Sequence, residues 1–370
     1  MNFLKSLKSY LEYLSTKWNR SRKKIFFYSE GQQYTNYLFD IIKGLNDIDK
    51  YEIAYFTSDP NDDININNVK SFYLGKGLVR IIFFTLLKSD LMIMTLTDLG
   101  NYEIKKSKKC KNYGYIFHSL MSVFKGYNKK AFINYDIIFT NGNYQNQELE
   151  LMENTYKFNK KKIYPVGYSY IENLKRKAQI NNSNGSILFA PSWISSKEDL
   201  LEKYGLEIIA NLLKINKVIF RPHPQSLIKS KEEIKKIENK FKDNKNFFFN
   251  KNIGKIESLN KSQILITDNG GMAMEYYILY KRPIISINYK DKIHNLDYQE
   301  LQIEALEDKF KKKFTKNIKE SEIKDLEYIV NDQLKNFSFQ KNNLESFLEG
   351  NGIILNNVPQ NTCDVIKKII

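Results

Sequence analysis

Short apolar runs separated by longer amphipathic stretches recur along this chain, and their order predicts alternating strands and helices. In the first half, residues 24–28, 52–57, 91–95, 112–117 and 137–140 read as strands, and residues 33–45 and 78–88 as helices. A polar, asparagine-containing stretch at 175–185 interrupts the series. A second series then opens at Ile187 and continues through 218–220, 247–249, 263–267 and 284–287. Strand–helix–strand alternation calls for parallel sheets with crossover connections, so the expected class is α/β, with two Rossmann-type domains facing across a cleft. The divisions that follow are a helix at 1–24, an N-terminal domain at 25–173 and a second domain at 186–345. A closing segment at 346–370 is expected to return to the first domain. Residues 301–345 are strongly charged and read as mostly helical.

Composition supports two cores. At 370 residues with 42% hydrophobic content, the chain exceeds a single domain of roughly 100–200 residues. At the N-terminus, Phe3, Leu4, Leu7, Leu11, Leu14 and Trp18 fall at helical spacing. Lys5, Lys8, Lys17, Arg20, Arg22, Lys23 and Lys24 stand against the single acid Glu12. Such a basic amphipathic helix suits the headgroup layer of an anionic membrane; the alternative is a helix packed on the N-terminal domain. No apolar run approaches the ~18 residues of a spanning helix, and the segment lacks the cleavage pattern of a secretory signal. The formal charge of +16 accompanies abundant Asn, Ile, Tyr and Phe, so compositional bias accounts for the scattered lysines. Nucleic-acid motifs are absent and no nucleic-acid partner is expected. Cys110 and Cys363 have no metal-ligand spacing, and a reducing cytoplasm, with the inner membrane face as a peripheral site, is the expected location.

The candidate chemistry sits where predicted strands end, the edge at which open α/β sheets bind ligands. His118, within Phe117-His118-Ser119, follows one such strand. Arg221-Pro222-His223-Pro224 follows another, its prolines stiffening the backbone on either side of the imidazole. The run Thr267-Asp268-Asn269-Gly270-Gly271 joins a strand to a helix, and a helix N-terminus after paired glycines offers amides and a positive dipole end to a phosphate. No Walker A loop or zinc-protease motif appears, and the Asp62-Asp63 pair lies in an Asn-rich loop, so neither a metal nor an organic cofactor is expected.

These segments together resemble the CDP-glycerol glycerophosphotransferases that build teichoic-acid-like polymers. In that family an aromatic-His-Gly stretch, a strand-end His-Pro pair and an Asp-x-Ser-Ser-like turn followed by a helix acid form the active site. By position the resemblance implies His118 and His223 as catalytic residues. It places Asp268, Asn269, Gly270, Gly271 and Glu275 at the donor. Phe189-Ala190-Pro191-Ser192-Trp193 is similar to the family's aromatic-Ala-Pro-Thr-aromatic segment and brings Ser192 to the nucleotide. The chain departs from the pattern at Ser119, at Gly270-Gly271 in place of the hydroxyl pair, and after Gly167, where Tyr168-Ser169-Tyr170 lacks the usual Arg and Asp.

The resemblance implies a GT-B architecture and transfer of a polyol phosphate from a CDP-activated donor to a hydroxyl of a glycan or lipid-linked acceptor. His118 would take the hydroxyl proton. His223 and Arg221, with Thr267 and the amides near Gly270 and Gly271, would hold the donor diphosphate, and Glu275 would meet the ribose or simply be solvated. The Asp-x-Gly-Gly turn is also similar to that of UDP-sugar 2-epimerases and of sugar transferases of the same fold. A nucleotide-sugar donor, an epimerase and a silent binding module therefore stay open at this level.

Overall fold

The computed structural model describes residues 2–97, 99–194, 198–251 and 256–370. Seven strands, β1 (Lys23–Ser29), β2 (Tyr51–Thr57), β3 (Lys70–Tyr73), β4 (Leu91–Met94), β5 (Asn112–Ile116), β6 (Ile137–Thr140) and β7 (Lys162–Pro165), form one sheet in the order β3-β2-β1-β4-β5-β6-β7. Six more, β8 (Ser186–Phe189), β9 (Val218–Phe220), β10 (Phe247–Phe249), β11 (Ser262–Thr267), β12 (Ile284–Asn288) and β13 (Lys316–Lys319), form the second in the order β10-β9-β8-β11-β12-β13. Every pairing in both sheets is parallel. Helices cover both faces of each, which is why central strands such as β4, with the sequence Leu-Met-Ile-Met, are buried at every position.

Three strands escape the apolar pattern. β3 (Lys-Ser-Phe-Tyr), β7 (Lys-Ile-Tyr-Pro) and β13 (Lys-Asn-Ile-Lys) are edge strands, and each buries one side chain or none. An edge strand has one neighbour and needs little apolar surface, so its sequence carries little signal. β13 interrupts residues 301–345, which are otherwise mostly helical.

Each sheet reverses its strand order once, between β1 and β4 in the first and between β8 and β11 in the second. At such a point the connections leave in opposite directions and open a crevice at the strands' carboxyl ends. Residues after all four of these strands line one common cleft of about 660 Å³.

Residues 351–354 are zipped along the carboxyl edge of the first sheet. Asn143 N donates to Gly352 O at 3.0 Å, Ile354 N to Asn141 O at 3.0 Å, and Tyr168 N to Ile354 O at 3.0 Å. Close approach demands the glycines here: a Cβ on Gly142 would stand 2.1 Å from the Gly352 carbonyl oxygen, and Gly167 has φ +109°. The helix Val358–Ile369 then packs on the helix Thr35–Asn46, with Cys363 and Ile366 buried beside Ile25, Phe27 and Leu38.

The N-terminal helix, Asn2–Ser15, packs on the first domain through Ser6, Tyr10 and Tyr13; the Tyr13 ring meets Phe56 at 5.3 Å and Phe83 at 5.5 Å. Leu7 and Trp18 lie partly buried against this cluster. Phe3, Leu4, Leu11 and Leu14 point outward instead, each more than half exposed. On the adjacent helix Leu78–Leu86, Leu78, Ile82 and Leu86 form a second exposed stripe at four-residue spacing.

Candidate active site

His118 is held by the backbone on which it stands. The carbonyl oxygens of Ser119, Leu120 and Met121 accept from Asn141 Nδ2 at 2.6 Å, Tyr144 Oη at 2.8 Å and Gln145 Nε2 at 3.2 Å. The Tyr168 hydroxyl lies 3.5 Å from the His118 carbonyl. Such bonds fix a loop that leaves the sheet with no ladder partner, each contributing on the order of 1 kcal/mol. The imidazole itself sits among aromatic rings, edge-on to Tyr34 at 4.9 Å and 6.3 Å from Tyr127. Its Nδ1 is 3.4 Å from the Tyr115 hydroxyl. In the tautomer that donates Nδ1–H to Tyr115, Nε2 keeps a lone pair for the cleft that His118 lines. Burial, and then the Lys292 ammonium, push its pKa down to about 4.

At His223 the backbone fixes the tautomer. It is the N-cap of the helix Pro224–Lys229, and its Nδ1 accepts the Gln225 backbone N–H at 3.1 Å. Nδ1 must then be unprotonated, so Nε2 carries the hydrogen and the ring is a donor to whatever occupies the cleft. Pro224 at the first helical position leaves no competing amide. Burial, with Lys292 and His118 nearby, lowers the pKa to about 3.

The turn after β11 is built from its own side chains. Asp268 Oδ1 accepts from Ser192 N at 2.7 Å, and the Thr267 hydroxyl donates to the Ala190 carbonyl at 2.7 Å. Ser192 donates to the Asn269 carbonyl, and Lys311 Nζ donates to Asn269 Oδ1 at 2.9 Å. Asp268 and Asn269 thus lie beneath the turn and lock the loops after β8 and β11 together. Thr267, Ser192, Gly270 and Gly271 reach the cleft. Both glycines are sites of close approach: a Cβ on Gly270 would stand 2.9 Å from Ser192 Oγ, and one on Gly271 2.9 Å from Ser119 Oγ across the interdomain boundary. The first turn of the helix Gly271–Tyr280 accordingly forms part of the cleft wall, with the positive end of its dipole there.

Glu275 is buried, which corrects the reading of it as a solvated helix residue. Its Oε1 accepts from the Tyr168 hydroxyl at 2.6 Å, joining the two domains behind the cleft. Burial raises its pKa, while Tyr168 and Arg221 oppose the rise. Arg221 is also buried, donating to Ser258 Oγ at 2.8 Å while lining the cleft.

The third histidine of the chain completes the cluster. His294 and Lys292, in the loop after β12, line the same cleft. Sequence reasoning assigned them nothing, although β12 was legible and its carboxyl end marks a ligand-binding edge. This loop is latched to the first domain: His294 N donates to Lys125 O at 3.0 Å, Asn295 Nδ2 donates to Phe124 O at 3.0 Å, and Lys125 pairs with Asp291 at 3.1 Å.

Residues 128–333 match the CDP-glycerol:poly(glycerophosphate) glycerophosphotransferase family. The chain belongs to this family. The match spans more than half of the chain and includes His223 and the whole turn after β11, though His118 lies just outside it. Among solved structures, the wall teichoic acid polymerase TagF shares 13% identity over 99% of this chain and 94% of its own, with a TM-score of 0.60. The UDP-GlcNAc 2-epimerase from Neisseria meningitidis, solved with UDP-GlcNAc bound, shares 12% identity over 93% of this chain and 100% of its own, also at 0.60. At such identities both likenesses establish the GT-B-type fold of two parallel-sheet domains. No curated protein sequence matches the chain. Membership of the glycerophosphotransferase family makes this chain a transferase of CDP-glycerol type.

Proposed function

We propose that the cleft transfers a glycerol-phosphate, or a similar polyol-phosphate, from a CDP-activated donor to a hydroxyl of a cell-surface glycan or lipid-linked acceptor. The residues near 25–173 serve as the acceptor domain and those near 186–345 as the donor domain. His118 Nε2 takes the proton of the acceptor hydroxyl as its oxygen attacks the phosphorus that carries the polyol. A phosphorus–oxygen bond forms to the acceptor, the bond between the two phosphates breaks, and CMP leaves with its electron pair. His223 Nε2–H, Arg221 and the amides at Gly270 and Gly271 meet the charge that develops on the phosphates. Ser192 and Thr267 shape the floor through the turn they brace, and Glu275 fixes Tyr168 behind His118. The observation that carries this reading is the meeting of two imidazoles from opposite domains in one cleft, His223 with a free N–H and His118 able to offer a lone pair in the tautomer that donates to Tyr115. Acid–base transfer to phosphorus requires that pair of capabilities.

The test is the identity of the released nucleotide. Purified protein supplied with CDP-glycerol and a glycan acceptor is expected to release CMP. Release of CDP or UDP from nucleotide sugars would assign glycosyl transfer instead, and interconversion of a UDP-sugar without acceptor would assign epimerisation.

We infer further that the protein works at an anionic membrane surface. No helix among the described residues is long and apolar enough to cross a membrane. Support comes from the outward Phe3, Leu4, Leu11 and Leu14 beside Leu78, Ile82 and Leu86, among the exposed Lys5, Lys8, Lys17, Lys76 and Lys88. Apolar side chains within a basic surround match the interior and headgroups of such a bilayer.

A further inference from the structure

Lys292 is anomalous. It lies in the cleft wall, yet its ammonium makes no hydrogen bond and no ion pair with any described residue. The neighbouring lysines behave otherwise: Lys125 holds Asp291 and Asp308, and Lys311 holds Asn269. The carboxylates that act on Lys292 are Asp268 and Glu307, both buried; each accepts one backbone amide through one oxygen, Asp268 from Ser192 and Glu307 from Ser122, and neither bonds the Lys292 ammonium. Burial also raises the pKa of each, which weakens them as counter-charges. Lys292 is half-buried, and a partly desolvated cation that no described protein group pairs with gains from a ligand that supplies the anion. The loop that carries it cannot swing away freely, since His294 and Asn295 bond to the backbone of Lys125 and Phe124.

We propose that Lys292 takes the charge of the donor's diphosphate, and that donor binding thereby relieves the histidine base of the cation that faces it. The proposal rests on the CDP-donor reading above and adds to it a residue and an order of events. Lys292 disfavours a proton on His118, His223 and His294 alike. The other groups around His118 are the phenols of Tyr34, Tyr37, Tyr115 and Tyr127, none of which carries a charge near neutral pH. A bound diphosphate compensates Lys292, so the His118 imidazole becomes a stronger base when the donor is in place. Proton removal from the acceptor is favoured only then, which guards against wasteful deprotonation in a half-filled site.

The experiment compares wild type with Lys292→Met and Lys292→Arg, using inorganic pyrophosphate as a binding probe and pH profiles of turnover. Lys292→Met is expected to bind pyrophosphate roughly 10- to 100-fold more weakly, the range for losing one charge-assisted contact. Lys292→Arg should retain most of the affinity. The acidic limb of kcat/KM, which reports the free enzyme, should rise by about one pH unit in Lys292→Met and stay in place in Lys292→Arg. Merely structural damage would not move the limb in that selective way. Equal pyrophosphate binding by wild type and Lys292→Met overturns the charge assignment, as does failure of the folded wild type to bind any diphosphate. Weakened binding with an unmoved limb upholds the contact and overturns its link to the base. Lysine-dependent binding of pyrophosphate, with turnover only of nucleotide sugars, would sustain this inference while rejecting the CDP-polyol donor.

Discussion

The two halves of the cleft hold the same kind of side chain in contrasting surroundings. On the first domain, His118 stands in a ring of tyrosines, and the tautomer that donates to the Tyr115 hydroxyl has its outer nitrogen as an acceptor. On the second, His223 spends its inner nitrogen on the Gln225 amide, so its outer nitrogen is a donor. The surroundings differ in kind as well: aromatic faces suited to the carbon face of a sugar or polyol on one side, and cations with a helix N-terminus on the other. The difference teaches that the local backbone, rather than the residue type, decides which half of a proton-transfer pair a histidine supplies.

The largest expected effect is at His118. His118→Ala and His118→Gln should both lower kcat by at least ~100-fold with unchanged melting, because neither replacement can accept a proton. His223 should respond differently. His223→Ala is expected to lose on the order of 100-fold, but His223→Gln should recover part of it, since an amide N–H still donates. Equal losses in the two glutamine variants would erase the distinction between the halves.

The pH profile sharpens the same contrast. A base with its pKa held near 4 is unprotonated above that value and protonated below it. Activity per free enzyme should therefore hold as pH falls through 6.5, the usual histidine range, and decline only toward pH 4. A limb near 6.5 would mean that His118 is more accessible to water than its packing implies. At the boundary between the halves, Gly271→Val should raise KM for CDP-glycerol by roughly 10-fold, because the new side chain must displace Ser119 from 2.9 Å. The smallest effect on turnover is expected from Leu11→Ser combined with Leu14→Ser and Leu86→Ser. These exposed changes should leave a soluble acceptor's turnover intact while reducing binding to anionic vesicles, measured by cosedimentation.

Much of this was legible in the chain, for reasons that differ by residue. Buried parallel strands announce themselves as continuous apolar runs, so β6 and β9 could be bounded from sequence alone, as could the edge strand β10 from its three phenylalanines. His118 and His223 stood out because each follows such a run, and the fold class followed from the alternation. Lys292 and His294 did not stand out, because Tyr-Lys-Asp-Lys-Ile-His-Asn reads as a solvated loop until the first domain packs over it. The tyrosines around His118 come from distant segments, and no local pattern announces their convergence. The N-terminal helix shows the limit of periodicity: its leucines mark an apolar face correctly, yet the tyrosines of another face make the contact with the domain.

The return of residues 358–369 to the first domain also has a consequence in time. The Cys363 thiol lies 3.6 Å from the Ile41 carbonyl, 322 positions away in sequence, and Ile366 fills the space beside Ile25 and Leu38. During synthesis the segments that form the first sheet emerge well before the wall of their core that Cys363 supplies, 322 positions beyond Ile41. Until it arrives, the apolar side of the helix Thr35–Asn46 stays open to water and to other chains, at translation speeds of roughly 5–20 residues per second. The cluster of the second domain around Ile187, Val218 and Ile266 needs nothing from that stretch and can condense before it arrives. On that face the later-made domain can close its core before the earlier one does.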